Sequence, residues 1–133
     1  MKSVMLSALL LLTAGAQTGG RRGVSLNQEF TLKVGQAALV RPGGLRVTLE
    51  RVLEDSRCPQ GVNCVWAGNA RVTVGLSGPG GKPARVELNT NVEPRRQSYL
   101  RYEVELLGLS PYPKEGQKVD GKSYSVRLLV KKR

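Results

Sequence analysis

The sequence contains no histidine, and its 133 residues include only two cysteines, one tryptophan and one phenylalanine. Without histidine there is no Ser-His-Asp or Cys-His catalysis, no histidine-ligated zinc and no imidazole pH switch. Acidic residues are also scarce, since 10 Asp and Glu face 21 Lys and Arg, which gives a formal charge of +11. The hydrophobic fraction of 40% is nevertheless too high for a disordered chain. The sequence therefore predicts one folded domain with a narrow choice of chemistry.

The N-terminus has the three-part pattern of a secretory signal peptide. Lys2 precedes an apolar run at residues 4–12, and the small residues Ala14 and Ala16 stand before Gln17. The run is too short for a membrane span, which needs about 20 residues, and no cysteine follows it to carry a lipid. We predict a signal peptide at 1–16, a flexible basic leader at 17–23 and a β domain at 24–133. The alternative is an N-terminal core helix. The predicted location is secreted, periplasmic or at the cell envelope.

The rest of the chain alternates apolar and polar residues with the period of two that is typical of half-buried strands. A phase shift at Arg51, where Val52 is the next apolar residue, predicts a β-bulge. One polar face per strand favours antiparallel pairing. We therefore predict an all-β, single-domain antiparallel β-sandwich or barrel of about seven strands. The predicted strands lie near residues 30–34, 37–40, 45–52, 70–76, 86–90, 102–106 and 124–130.

The segment 54–70 interrupts this alternation and contains both cysteines and the only tryptophan. Because an exported chain meets an oxidising environment, we predict a disulfide between Cys58 and Cys64. Chain entropy gives so short a ring only about 2 kcal/mol of stabilisation, which favours a local staple over a link between distant strands. Pro59 and Gly61 fit a tight turn inside the ring. The C-x5-C spacing, without a βαβ pattern around it, argues against a redox role.

The same segment resembles a sequence signature, D-S-R-C-P-x-x-V-x-C-x-W-A-G-x-A, of a group of small bacterial secreted proteins and lipoproteins. Two further segments, 109–113 and 124–128, resemble that group more loosely. The resemblance implies export and a β-rich fold, and it implies no activity. Because this chain lacks the lipidated cysteine, membrane anchoring does not carry over. The matching residues of the signature are Asp55, Ser56, Arg57, Cys58, Pro59, Val62, Cys64, Trp66, Ala67, Gly68 and Ala70.

Two interpretations of the segment stay open. In the first it is a scaffold, in which Asp55 accepts loop amides, Arg57 pairs with Asp55 or Glu54, and Trp66 closes the core. In the second it is a preformed recognition loop, because Arg and Trp are enriched among interface hot spots. We expect a buried Trp66 and a partly exposed Arg57. The candidate binding residues are Asp55, Ser56, Arg57, Trp66 and Asn69.

Other chemistry finds little support in the sequence. The acidic residues form no calcium-loop run, and the glycines at 78–81 precede a lysine with no Ser or Thr after it. Glu103 and Glu105 share a strand face, but a carboxylate pair needs a cleft with substrate-binding aromatics to act as a glycosidase. We interpret both as solvated strand residues. The sequence therefore predicts no enzyme activity, no catalytic residues, no metal and no cofactor.

The positive charge suggests a second kind of partner. It would attract anionic polymers of the cell envelope, whereas sequence-specific recognition of nucleic acid lacks the accompanying aromatic motif. The first functional hypothesis is a binding module whose disulfide loop contacts an unknown protein or envelope component. The alternative is a structural envelope protein held to anionic polymer by charge, and a secreted enzyme ranks third. The candidate charge patch comprises Arg95, Arg96, Lys131, Lys132 and Arg133.

Overall fold

The computed structural model describes residues 21–133, and the regular structure of this part of the chain is entirely β. The signal-peptide prediction and residues 17–20 of the predicted leader lie outside the described residues. Residues 21–133 form nine strands: β1 (Arg21–Ser25), β2 (Phe30–Lys33), β3 (Ala37–Arg41), β4 (Leu45–Asp55), β5 (Ala70–Ser77), β6 (Ala84–Asn89), β7 (Arg96–Tyr99), β8 (Tyr102–Ser110) and β9 (Ser125–Lys132).

The strands form two sheets that pack face to face, with the orders β1-β3-β4-β5-β6 and β2-β9-β8-β7. They do not close into a barrel, so the predicted all-β sandwich is confirmed. The alternating apolar residues of both sheets meet in a single core. Its fully buried members include Val40, Leu45, Val47, Leu49, Val72, Val74, Leu88, Val104, Val126, Leu128 and Val130.

Two strands, β1 and β7, were not among the seven predicted. Both lie at the edge of a sheet, and both are polar, with the sequences RRGVS and RQSY. They therefore lack the alternating apolar pattern that marks the other two edge strands, β2 and β6, and are paired through backbone hydrogen bonds. β1 also runs parallel to β3, whereas the other strand pairs of the described chain are antiparallel. Residues 21–23 of the predicted leader form the first part of β1.

Strand β4 contains two bulges that decide which side chains face the core. The predicted bulge is confirmed, because the register with β5 shifts between Leu49 and Arg51, and it shifts again between Val52 and Glu54. Each bulge adds one residue and reverses the alternation. The inward positions therefore pass from Leu49 to Val52 and then to Asp55, which pairs with the buried Ala70. The second bulge thus turns a carboxylate toward the opposite sheet.

The sandwich has two ends with different loops. The disulfide end carries the loops 56–69, 90–95 and 111–124, and the hairpin end carries the turns 42–44 and 100–101 and the loop 78–83. No helix among residues 21–133 is long and apolar enough to cross a membrane.

Candidate functional site at the disulfide loop

The loop 56–69 begins as an extension of the β4–β5 hairpin. The Ser56 N–H donates to the Asn69 carbonyl at 2.7 Å, and the Cys58 N–H donates to the Ala67 carbonyl at 2.9 Å. The two arms approach so closely that a Cβ on Gly68, whose φ is +71°, would overlap the carbonyl oxygen of Ser56. The glycine of the signature is therefore a requirement of backbone geometry.

The tip of this loop is closed by the predicted disulfide. Cys58 and Cys64 are bonded, with their Cα atoms 5.9 Å apart. Inside the ring the Val62 N–H donates to the Pro59 carbonyl at 3.2 Å, and Gly61 has a φ of +86°. The disulfide and the tight turn are both confirmed, and the Gln60 N–H inside the ring also donates to the Pro113 carbonyl at 2.9 Å.

The base of the loop is built around Arg57, which is only 3% exposed. Its Nε and one Nη donate to the two carboxylate oxygens of Asp55, each at 2.8 Å. The guanidinium also donates to the carbonyls of Leu109 at 2.6 Å and Pro111 at 2.9 Å, and it lies 4.4 Å from the ring centroid of Tyr112. The expected partial exposure of Arg57 is wrong, because loop 111–124 covers it and supplies acceptors. The predicted pairing with Asp55 is confirmed.

The Asp55 carboxylate compensates the buried charge of Arg57. Its carboxylate also accepts the Arg57 N–H at 3.2 Å and the Tyr124 hydroxyl at 2.8 Å. Burial alone raises the pKa of Asp55, but the hydrogen bonds from Arg57 and Tyr124 and the charge of Arg57 outweigh it and lower the pKa below 3.8. Burial, together with the hydrogen bond and charge of Asp55, raises the pKa of Tyr124 to about 12. The pair is therefore a carboxylate and a neutral phenol near neutral pH.

Ser56 and Asn69 lock the loop to its neighbours. The Ser56 hydroxyl donates to the Asn69 carbonyl at 2.9 Å. The buried Asn69 amide donates to Asn89 Oδ1 at 2.9 Å and accepts the Asn91 N–H at 3.0 Å, and Asn91 Nδ2 donates to the Gly68 carbonyl at 2.8 Å. These two candidate residues therefore serve the scaffold.

Trp66 is exposed, whereas the sequence predicts a buried side chain. Its side chain is 64% exposed, and its neighbour Val65 is fully exposed. The buried position predicted for Trp66 is wrong, because Trp66 lies in the outer part of the loop, just beyond the hydrogen bond from Cys58 to Ala67. Arg57 and Tyr124 close this end of the core instead. The large buried aromatic side chains are Phe30, Tyr99, Tyr102 and Tyr124.

The predicted charge patch is divided by the fold. Arg96 on β7 and Lys131 on β9 lie on opposite sides of β8, where Glu103 pairs in register with Lys131 and lies 3.7 Å from Arg96. The Arg95 N–H donates to Glu93 at 3.1 Å in the loop before β7. Lys132 and Arg133 belong to the hairpin end. The carboxylates of Glu93 and Glu103 therefore lie among the five cations.

Sequence reasoning missed Leu109, Pro111 and Tyr112, which receive the Arg57 guanidinium, and Tyr124, whose hydroxyl donates to Asp55. The available signal was the looser resemblance at 109–113 and 124–128, since the structure brings both segments against the signature loop.

Within residues 21–133 no three His, Cys, Asp or Glu side chains are grouped as metal ligands. The arrangement supplies a rigid base of satisfied polar groups under an exposed apolar tip. No protein-family model, curated protein sequence or solved structure matches this chain.

Proposed function

We propose that the protein is an exported binding module whose disulfide loop inserts its tip into an apolar cleft of a partner protein. Val65 and Trp66 are the contact residues. The observation that carries the proposal is the exposure of Trp66 and Val65 on a loop whose base is otherwise fully hydrogen bonded. The disulfide and the signal-like N-terminus support export.

The tip of the loop exposes large apolar side chains, which a purely structural loop does not need. Val62, Val65, Trp66, Val92 and Tyr112 are the large apolar residues exposed at this end of the sandwich. Isolated exposed apolar residues are ordinary, but an adjacent group of them is typical of interaction sites. Tryptophan in particular is enriched among residues that dominate binding energy.

The loop is held rigidly, which favours a role in binding. The disulfide joins residues on both arms of the tip, and Arg57 fixes its base to loop 111–124. A segment already held in its bound shape loses less conformational entropy on association. The candidate site is therefore divided by role: Asp55, Ser56, Arg57 and Asn69 hold the loop, and Trp66 makes contact.

The test combines stability with competition. Trp66→Ala should change the free energy of unfolding by no more than about 0.5 kcal/mol, as at ordinary surface positions. A photo-reactive residue at the fully exposed Val65 should crosslink a protein from the envelope or secreted fraction. Excess wild-type protein should compete for that crosslink, and Trp66→Ala protein should compete at least about tenfold less well, as a hot-spot loss predicts.

The matched control carries the photo-reactive residue at Thr31, an exposed position on β2 away from the loop. The same adduct from Thr31, or equal competition by wild type and Trp66→Ala, would contradict the proposal. If Trp66→Ala lowered the free energy of unfolding by several kcal/mol, Trp66 would be a structural residue of the loop and not a contact residue.

A further inference from the structure

A second site lies at the hairpin end of the sandwich, away from the disulfide loop. It is an open pocket of about 500 Å³ lined by Pro79, Gly80, Leu100, Arg101, Tyr102 and Lys132. We infer that this pocket binds an acidic sugar unit of an anionic polysaccharide, with the carboxylate between Arg101 and Lys132. The inference does not depend on the function proposed for the disulfide loop.

The pocket wall is held by specific contacts between two loops. The Tyr99 hydroxyl donates to the Lys82 carbonyl at 2.8 Å, which ties loop 78–83 to the hairpin of β7 and β8. The Leu100 methyl groups pack on Gly78 and Gly81 so closely that a Cβ on Gly81 would lie 2.7 Å from Leu100. The two loops are therefore fixed relative to each other.

Leu100 pays a conformational cost to occupy this place. It has a φ of +51° in the two-residue turn between the paired residues Tyr99 and Tyr102, a position where glycine is usual. Its side chain is nevertheless 41% exposed. A strained backbone that presents an apolar side chain at the rim of a pocket is a common sign of function.

The charges of the pocket are not satisfied by the protein. Among the described residues, neither Arg101 nor Lys132 has a carboxylate within 4.0 Å, as is true of most exposed cations of this part of the chain. Lys132 pairs in register with Tyr102, and the Arg133 N–H donates to the Arg101 carbonyl at 2.7 Å. The backbone thus holds both cations beside the same opening.

The form of the pocket favours a sugar acid over a simple ion or a nucleotide. Pro79 and Leu100 offer an apolar wall, and the two cations stand beside it, which suits a ring that carries one negative group. Tyr102 is only 9% exposed, so it offers no face on which a nucleic-acid base could stack. The exposed cation Lys82 belongs to the loop 78–83, which also supplies Pro79 and Gly80 to the pocket, and it would contact a neighbouring acidic unit of a polymer.

The test is titration of the protein with fluorescently labelled oligogalacturonate, and with neutral dextran of similar size. Wild-type protein should bind the first and not the second, more weakly as the NaCl concentration rises from about 50 to about 300 mM. Arg101→Gln with Lys132→Gln should weaken binding at least about tenfold, because two charge-assisted contacts are lost. Trp66→Ala should bind like wild type.

The matched control is Lys118→Gln with Lys122→Gln, which removes the same charge from exposed positions at the disulfide end and should change affinity less than about twofold. Leu100→Gly keeps every charge and suits the positive φ, yet it should weaken binding about fivefold by removing the apolar wall. Any one of four results would overturn the inference. The two charge variants could lose affinity equally, or Leu100→Gly could bind like wild type. Wild-type protein could bind oligothymidylate as well as oligogalacturonate, or it could fail to bind oligogalacturonate.

Discussion

Arg57→Met should lower the free energy of unfolding by much more than the same substitution of the exposed, paired Arg85. The change keeps a long side chain but removes every donor of the guanidinium. It leaves the Asp55 carboxylate without its bidentate partner and the carbonyls of Leu109 and Pro111 without their donors.

The magnitude follows from the burial of these groups. The side chains of Arg57 and Asp55 are 2% and 8% exposed, so water cannot replace the lost hydrogen bonds without opening the loop. Removal of one partner of a buried ion pair typically costs about 3–5 kcal/mol. Such a loss is a large part of the total stability of a domain of this size, which is about 5–15 kcal/mol.

Urea unfolding followed by circular dichroism measures the change. With an m-value of about 1–3 kcal/mol per molar urea, the midpoint should fall by at least about 1 M while m stays constant. The matched control is Arg85→Met, because Arg85 also pairs with a carboxylate, Glu50 at 3.0 Å, but its side chain is 78% exposed. An exposed pair of this kind contributes about 0–1 kcal/mol.

Equal midpoints for Arg57→Met and Arg85→Met would refute the reasoning, because burial would then have no effect on the value of the ion pair. If Arg57→Met does not fold, Arg57→Lys serves in its place. Lysine keeps the charge but cannot donate to Asp55 and to both carbonyls in the same fixed geometry, so its midpoint should lie below that of Arg85→Met.

Two further outcomes follow from the same loop. Cys58→Ser with Cys64→Ser should lower the free energy of unfolding by about 2 kcal/mol, and wild-type protein in reductant should show the same urea midpoint as this variant; unequal midpoints would contradict a purely disulfide effect. Because the folded pKa of Asp55 is lowered, its stabilisation is complete above pH 3.8 and is lost as pH falls through the folded value, so Asp55→Asn should flatten the midpoint-against-pH curve in that acid range. The pKa of Tyr124 is instead raised, so its stabilisation is complete below pH 10 and is lost as pH rises toward about 12; Tyr124→Phe should remove that alkaline decline, and an unchanged profile would exclude the hydrogen bond to Asp55.

Local sequence patterns predict most of the sandwich architecture. Alternation assigns each residue of a strand to one face, because successive side chains point to opposite sides of the sheet. It predicts the seven strands that carry most of the core residues, and a break in the alternation predicts the bulge near Arg51. The edge strands β1 and β7 escape this reasoning, since their pairing depends on backbone groups that every residue possesses.

For the candidate loop, local patterns predict only part of the structure. Its position, its disulfide and its tight turn follow from the spacing of cysteine, proline and glycine residues. The exposure of Trp66 and Arg57, however, is the reverse of what their side-chain types suggest. A large aromatic residue is expected in the core and a cation at the surface, yet here the aromatic residue is outside and the cation inside.

The sequence alone determines seven of the nine strands of residues 21–133, the position of the loop and the disulfide, because each depends on residues that are close together along the chain. The tertiary structure decides which candidate residues support the loop and which face solvent. Arg57 is buried because Leu109 and Pro111, which are 52 and 54 residues away, supply carbonyl acceptors, and because a second bulge turns Asp55 inward to meet it. Trp66 lies just beyond the hydrogen bond from Cys58 to Ala67, the last one between the two arms of the loop, and it is 64% exposed. Such long-range pairings form only when the two sheets assemble, and no local pattern of residues records them.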